Sequence, residues 1–376
     1  MIYLDNAATS FVKPDMVCRA QVEAIYKNSA NAGRGGYDLA VKSGEILYET
    51  RESLSKLFNI QNPERIALLK NTTEALNMGI KGVMMRGGHV ITTSMEHNSV
   101  IRPIKALEKE RGVSYSLLCA NEKGELNVER LEKMIKRETR LIVMTHSSNV
   151  CGNIYDIKTA SEIARRHNVL FMVDAAQSAG TVDIDAELTD LLAFPGHKGL
   201  LGPMGTGGLY VRDGVKLKTL TEGGTGSESE NLSQPEFMPD MLESGTVNVP
   251  AMAGLKEAAE FVMSLGTKNI HEYEQSLLLH FESGLKNMGG IEIYGGENKT
   301  AICAFNIIGR DCVEIAQILN DKYGICMRAG LHCAILAHKS LNTDKTGCIR
   351  ASFGIFNTVK EVDYTLDAIY EILTNK

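Results

Sequence analysis

Lys198 stands in Phe194-Pro195-Gly196-His197-Lys198-Gly199, just ahead of a glycine-rich stretch from Gly202 to Gly208. A lysine held at such a turn loses solvent, its pKa falls, and its amine becomes able to form a Schiff base with a carbonyl. Asp174 ends the apolar run of Val173-Asp174-Ala175-Ala176-Gln177. A carboxylate leaving an apolar strand is costly unless paired, and a protonated ring nitrogen would pair it. His97, in Glu96-His97-Asn98-Ser99, follows another apolar run, where a histidine can titrate or lie flat on an aromatic ring. Asn71-Thr72-Thr73-Glu74 brings hydroxyls and free backbone amides to a helix start, which makes an anion site suited to phosphate. Each segment also has a plainer reading: a solvated lysine, a helix-capping aspartate, a satisfied histidine and a capping box.

The elements that must position these residues are legible in the periodicity. Short apolar runs at 65–70, 89–93, 115–119, 141–145, 169–173, 191–194 and 208–211 read as strands. Helical spacing alternates with them at 73–85, 100–111, 128–137 and from Ile157 to Ala164. The alternation predicts an α/β fold: a large domain over 15–250 whose mostly parallel seven-stranded sheet is flanked by helices. After Pro250 the pattern changes to helices at 251–265 and 270–288, strands at 291–294, 303–308 and 350–353, and a last helix carrying Val362, Leu366 and Ile369. This predicts a smaller α+β domain over 251–376, joined by the N-terminal segment 1–14, with the site between the two domains. All four segments fall at strand–loop junctions of one sheet, where ligands of such folds bind. Taken together, a phosphate site, a ring-stacking histidine, a pyridine-directed acid and a Schiff-base lysine describe a pyridoxal phosphate site.

Composition narrows the remaining classes. The chain has 376 residues and a net charge of 40 − 46 = −6, so nothing favours a nucleic-acid partner. It has no run of ~18 apolar residues, so no membrane span is expected. The start, MIYLDNAATS, lacks a basic region followed by an apolar stretch, so neither a secretory leader nor export is expected, and the cytoplasm is the expected location. The eight cysteines include no CxxC pair and none matched to HxxxH, so no metal site is expected and free thiols are.

The ordered motifs resemble the class V aminotransferase family of fold-type I pyridoxal phosphate enzymes, and within it the cysteine desulfurases of the NifS/SufS/CsdA type, group II-like. The segments are YLDNAAT (3–9), NTTEALN (71–77), EHNS (96–99), SSNVCG (147–152), VDAAQS (173–178), GHKGLLGPMGTG (196–207), SGTVNV (244–249), RAGLHCA (328–334) and CIRASFGIFNT (348–358). The resemblance implies Lys198 as Schiff-base lysine, His97 over the ring, Asp174 on the pyridine nitrogen and Gln177 on the phenolic oxygen. It implies Thr72, Thr73 and His197 at the phosphate, joined by Thr246 from the partner of a homodimer. Asn149, Arg328 and Arg350 are the implied substrate-binding residues. The pattern departs at Pro195, where relatives carry a hydroxyl residue that touches phosphate.

Of the eight cysteines, Cys333 follows His332 in a glycine-containing loop that resembles the group II catalytic loop. The implied reaction converts L-cysteine to L-alanine and leaves a persulfide on Cys333, for transfer to an acceptor protein in the manner of iron–sulfur cluster assembly. Selenocysteine lyase or another β-eliminating lyase, and an aminotransferase that does not need Cys333, are the alternatives on the same site.

Overall fold

Leu141-Ile142-Val143-Met144 has no polar face, which suits a strand covered by helices on both sides. The computed structural model describes residues 1–374 apart from Arg34 and Arg86, so the last two residues of the expected C-terminal domain, 375 and 376, lie outside the described residues. In chain order the first half contains β1 (Ile2–Tyr3), α1 (Asp15–Lys27), α2 (Asp38–Leu57), β2 (Ile66–Leu69), α3 (Thr72–Val83), β3 (His89–Thr93), α4 (Asn98–Arg111), β4 (Ser114–Leu118), α5 (Leu131–Met134), β5 (Thr139–Thr145), α6 (Ile157–Arg166), β6 (Leu170–Asp174), β7 (Leu191–Pro195) and β8 (Gly207–Val211). The second half contains α7 (Val249–Leu265), α8 (Thr267–Met288), β9 (Ile291–Tyr294), β10 (Ile302–Ile307), α9 (Cys312–Tyr323), β11 (Ile325–Cys326), β12 (Arg328–Gly330), α10 (Ile335–Ser340), β13 (Cys348–Ser352) and α11 (Val359–Thr374).

The large sheet has seven strands in the order β2-β8-β7-β6-β5-β3-β4. The run from β7 to β4 is parallel, and β8 lies antiparallel to both β7 and β2. This is the mostly parallel sheet expected. One apolar cluster fills the face under α3 and α4, and another fills the face under α2, α6 and α7. A separate antiparallel sheet, β12-β13-β10-β9, packs on α8, α9 and α11 around Phe281, Phe305 and Phe353. The β1 strand pairs in parallel with β11, so residues 2–3 join the C-terminal part of the chain.

Two differences from the sequence reading have local causes. The helix expected over 128–137 ends at Met134, because Thr139 closes a turn on Lys136: its hydroxyl accepts from Lys136 N at 2.8 Å and its amide donates to Lys136 O at 3.0 Å. Helix α2 escaped the apolar pattern because its buried face is built partly from Ser43, Thr50 and Ser53, whose hydroxyls bond to Asn28 O, Met252 O and Glu260.

Candidate active site

Strand ends of the large sheet deliver the polar residues to one cavity, lined by Thr72, His97, Asn149, Asp174, Gln177 and Lys198 among others. Helix α3 starts where β2 stops, and Asn71 caps it by accepting from Glu74 N at 2.9 Å. Thr72 Oγ1 is buried there with no hydrogen-bond partner among the described residues, at the first turn of the helix. Thr73 Oγ1 lies 2.8 Å from Ser99 Oγ, which in turn lies 2.9 Å from His97 Nδ1. Ser99 N also donates to His97 Nδ1 at 3.1 Å, so Nδ1 carries the lone pair and Nε2 the proton. Burial, with Lys198 and Arg328 adding to it, pushes His97 down to about 4, so the ring is neutral near pH 7.

Asp174 ends β6 and is 2% exposed. Its carboxylate accepts from Ala176 N at 2.9 Å. Burial pushes it up to about 6, while that amide and Lys198 pull the other way. Lys198 follows β7; loss of solvent around its amine lowers it to about 8, against the pull of Asp174. The lysine also borders a second cavity, lined by Tyr3, Asn6, Phe353, Asn357 and Glu274, so it sits where two spaces meet. Neighbouring His197 is tied to the N-terminal segment: its Nδ1 is 3.0 Å from Thr9 Oγ1, and its carbonyl accepts from Ser10 N at 3.0 Å. Gln177 Nε2 donates to Ala7 O at 3.0 Å, a second tie to the same segment.

The C-terminal part of the chain ties the turn that carries Cys333 to Asn149, a lining residue of this cavity. His332 and Cys333 have φ of 45° and 58°, in the left-handed region that side chains other than glycine rarely adopt. The turn is fastened at both residues: Asn149 Nδ2 donates to His332 O at 2.7 Å, and Asn98 N donates to Cys333 O at 2.8 Å. Cys333 is exposed, and an N–H of Arg328 points at its Sγ from 3.6 Å. Arg328 and Arg350 are cross-strand partners in β12 and β13. Arg350 is 1% exposed, donates to Asp5 Oδ1 at 2.6 Å and to Asn149 O at 2.7 Å, and keeps a buried Nε without a partner.

Known proteins resemble this chain in sequence and fold. A family model for aminotransferase class-V matches residues 2–365. This chain belongs to the class-V aminotransferase family. A protein of Methanothermobacter thermautotrophicus named as a probable cysteine desulfurase is 36% identical over 99% of this chain and 94% of its own length. A cysteine desulfurase of Escherichia coli O7:K1 is 32% identical over 99% of this chain and 93% of its own. The apo structure of the cysteine desulfurase from Thermococcus onnurineus superposes with a TM-score of 0.94 at 31% identity, covering 100% of this chain and 95% of that one. The cysteine desulfurase CsdA from Escherichia coli gives 0.90 at 28% identity, covering 99% and 94%.

Within this class-V chain the expected residues Thr72, Thr73, His97, Asn149, Asp174, Gln177, His197 and Lys198 all line the one cavity. Arg328, Cys333 and Arg350 are not among its lining residues; Arg350 and the Cys333 turn are tied to Asn149, which is. Thr246 does not: it is exposed in the loop before α7 and outside that cavity. Pro195 ends β7 opposite Gly207 and is likewise not among the lining residues. Sequence reasoning gave no role to Ser99, which links Thr73 to His97, or to Asp5, which holds Arg350. Both stand inside the family segments EHNS and YLDNAAT, so the signal was present. Packing also gathers His332, His338 and Cys348, one side-chain nitrogen or sulfur of each within 4.8 Å of the others, at a spacing that the sequence does not mark.

Proposed function

We propose that the protein is a pyridoxal-phosphate-dependent cysteine desulfurase that converts L-cysteine to L-alanine and keeps the sulfur as a persulfide on Cys333. The observation that carries this reading is the fastening of the strained Cys333 turn, through Asn98 and Asn149, to the cavity that contains Lys198 and Asp174. An aminotransferase has no use for an exposed thiol held in this way.

The residues fit the cofactor. The orphaned Thr72 hydroxyl at the start of a 12-residue helix suits a phosphate, with Thr73 and His197 beside it. A buried carboxylate with one amide partner suits a protonated pyridine nitrogen, and Asp174 would hold it. His97 would cover the ring, Gln177 would bond the phenolic oxygen, and Lys198 would carry the carbonyl carbon. When bound, pyridoxal phosphate supplies the carbonyl that captures the amino group and the electron sink that makes the α-proton acidic.

The chain's own residues do the rest. Arg350, with its free Nε, and Asn149 hold the substrate carboxylate. Lys198, as a free amine, takes the proton from the substrate's Cα. Arg328 donates to Cys333 Sγ and fixes the position of the exposed thiol. The Cys333 thiolate forms an S–S bond to the substrate sulfur as the Cβ–S bond breaks. A proton delivered to Cβ, and return of a proton from the Lys198 ammonium to Cα, complete alanine, and an acceptor thiol, on a partner protein, later takes the outer sulfur. Exposed Val22, Ile25, Tyr26, Leu39 and Tyr48 on α1 and α2 support a homodimer in which the partner copy supplies the residue equivalent to Thr246.

The test is an alanine and sulfide assay on cysteine with wild type, Lys198→Ala and Cys333→Ala. Wild type makes both products in the presence of a thiol acceptor, Lys198→Ala makes neither, and Cys333→Ala loses sulfur transfer. A wild-type protein that forms no alanine from cysteine, or a Cys333→Ala variant with unchanged sulfur release, overturns the reading. Running the same assay on selenocysteine separates a desulfurase from a selenocysteine lyase.

A further inference from the structure

Three buried donors from three separate segments converge beneath the Cys333 turn. His332 opens the turn, His338 lies in α10, and Cys348 opens β13; each is 2% exposed or less. One ring nitrogen of each histidine and Cys348 Sγ all lie within 4.8 Å of one another.

The hydrogen bonds around them fix which nitrogen is bare. His332 Nε2 lies 2.9 Å from the Cys348 carbonyl oxygen, which can only accept, so Nε2 is protonated and Nδ1 holds a lone pair. His338 Nδ1 lies 2.7 Å from Thr343 Oγ1, whose own proton goes to the His338 carbonyl at 3.4 Å. That makes His338 Nδ1 the donor and leaves the lone pair on Nε2. Both lone-pair nitrogens, His332 Nδ1 and His338 Nε2, are buried with no partner among the described residues. A buried acceptor without a partner is costly, and two of them on rings gathered with a buried thiol call for a shared ligand. A histidine whose ring N–H is held by a carbonyl or hydroxyl, with the other nitrogen bare, is oriented as metal-binding histidines are.

We propose that His332, His338 and Cys348 form a binding site for a divalent cation of the zinc type, with a fourth position taken by water. Two imidazoles and one thiol exclude the hard cations that prefer oxygen, and they match a borderline-soft tetrahedral ion. Binding forms a metal–sulfur bond and releases the Cys348 thiol proton to solvent. The cation joins β13 and α10 to the residue before Cys333, so it stiffens the strained turn from below while the Cys333 thiol stays free.

The experiment titrates the cofactor-loaded enzyme with Co²⁺ and then Zn²⁺. The site predicts one equivalent per chain, a thiolate-to-cobalt absorption with tetrahedral d–d bands, displacement by zinc, and a Tm that rises with metal concentration. Cys348→Ala and His338→Ala each weaken binding at least tenfold, whereas Cys333→Ala binds as wild type does. Circular dichroism confirms that the variants are folded, and the small change in Cys348→Ala keeps the comparison usable if His338→Ala unfolds. A wild-type enzyme with neither bands nor a Tm shift overturns the proposal. So does equal binding by Cys348→Ala, and so does loss of binding in Cys333→Ala, which would assign the ion to the catalytic thiol.

Discussion

Asn149 Nδ2 donates to the His332 carbonyl at 2.7 Å, so a residue that follows β5 of the large sheet holds the turn that carries Cys333. The turn is strained at two successive residues, and strain of ~1–3 kcal/mol each persists only where neighbours impose it. Asn149→Ala removes this tie. The variant keeps its cofactor absorbance, while alanine formation from cysteine falls on the order of 10²-fold, the penalty for misplacing a reacting group by about 1 Å. Steady-state kinetics beside a cofactor spectrum checks this; unchanged kcat would mean that the turn holds its shape without Asn149.

Asp5 is the anion that Arg350 faces. Arg350 is 1% exposed and Asp5 20%. Asp5→Asn leaves a buried cation without its countercharge. Breaking a fully buried pair costs about 3–5 kcal/mol, and the partial exposure of Asp5 brings the expected loss to roughly 2–3 kcal/mol. Denaturant unfolding measures it. KM for cysteine rises in the same variant, because the guanidinium is no longer aimed.

Lys198 is lowered to about 8 by loss of solvent. Only its neutral amine attacks a carbonyl. The rate at which cofactor-free protein regains yellow absorbance with added pyridoxal phosphate therefore rises with pH through about 8 and levels above it. Stopped-flow absorbance between pH 6 and 10 reads the profile. A midpoint near the ordinary lysine value would show that the pocket leaves the amine solvated.

Glu274 is buried in α8, and burial pushes it up to about 8. Its folded pKa lies above its unfolded one, so the stability tied to its protonated form is full below the ordinary carboxyl range. That stability is lost as pH climbs toward 8. Glu274→Gln keeps the shape and removes the loss. Its Tm advantage over wild type is small at pH 5 and grows to on the order of 2–4 °C above pH 8.

The sheet and most residues of the candidate cavity were legible because they rest on local signals. Apolar runs such as Leu141–Met144 mark buried strands, and the candidate segments sit at their ends. Contacts between distant segments were not legible. No periodicity announces that Asp5 meets Arg350, or that Asn149 reaches His332. The cluster of His332, His338 and Cys348 is invisible for the same reason, since it is made by packing α10 against β13 rather than by spacing. Helix α2 was obscured by hydroxyl residues on its buried face, and the helix expected over 128–137 was cut short by one threonine turn.

Residues 2–7 are held largely by late parts of the chain, while Ala7, Thr9 and Ser10 also tie to Gln177 and His197. Ile2 and Tyr3 pair with Ile325 and Cys326, Asn6 reaches Ser352 and Asn357, and Ala7 N donates to Ser352 Oγ at 2.9 Å. In synthesis Asn6 precedes its partner Ser352 by 346 residues. The large sheet can assemble during synthesis, but Arg350 meets Asp5 only after β13 is made. A chain stalled before β13 therefore carries a formed sheet in which Asp5 still lacks the cation it faces in the finished fold.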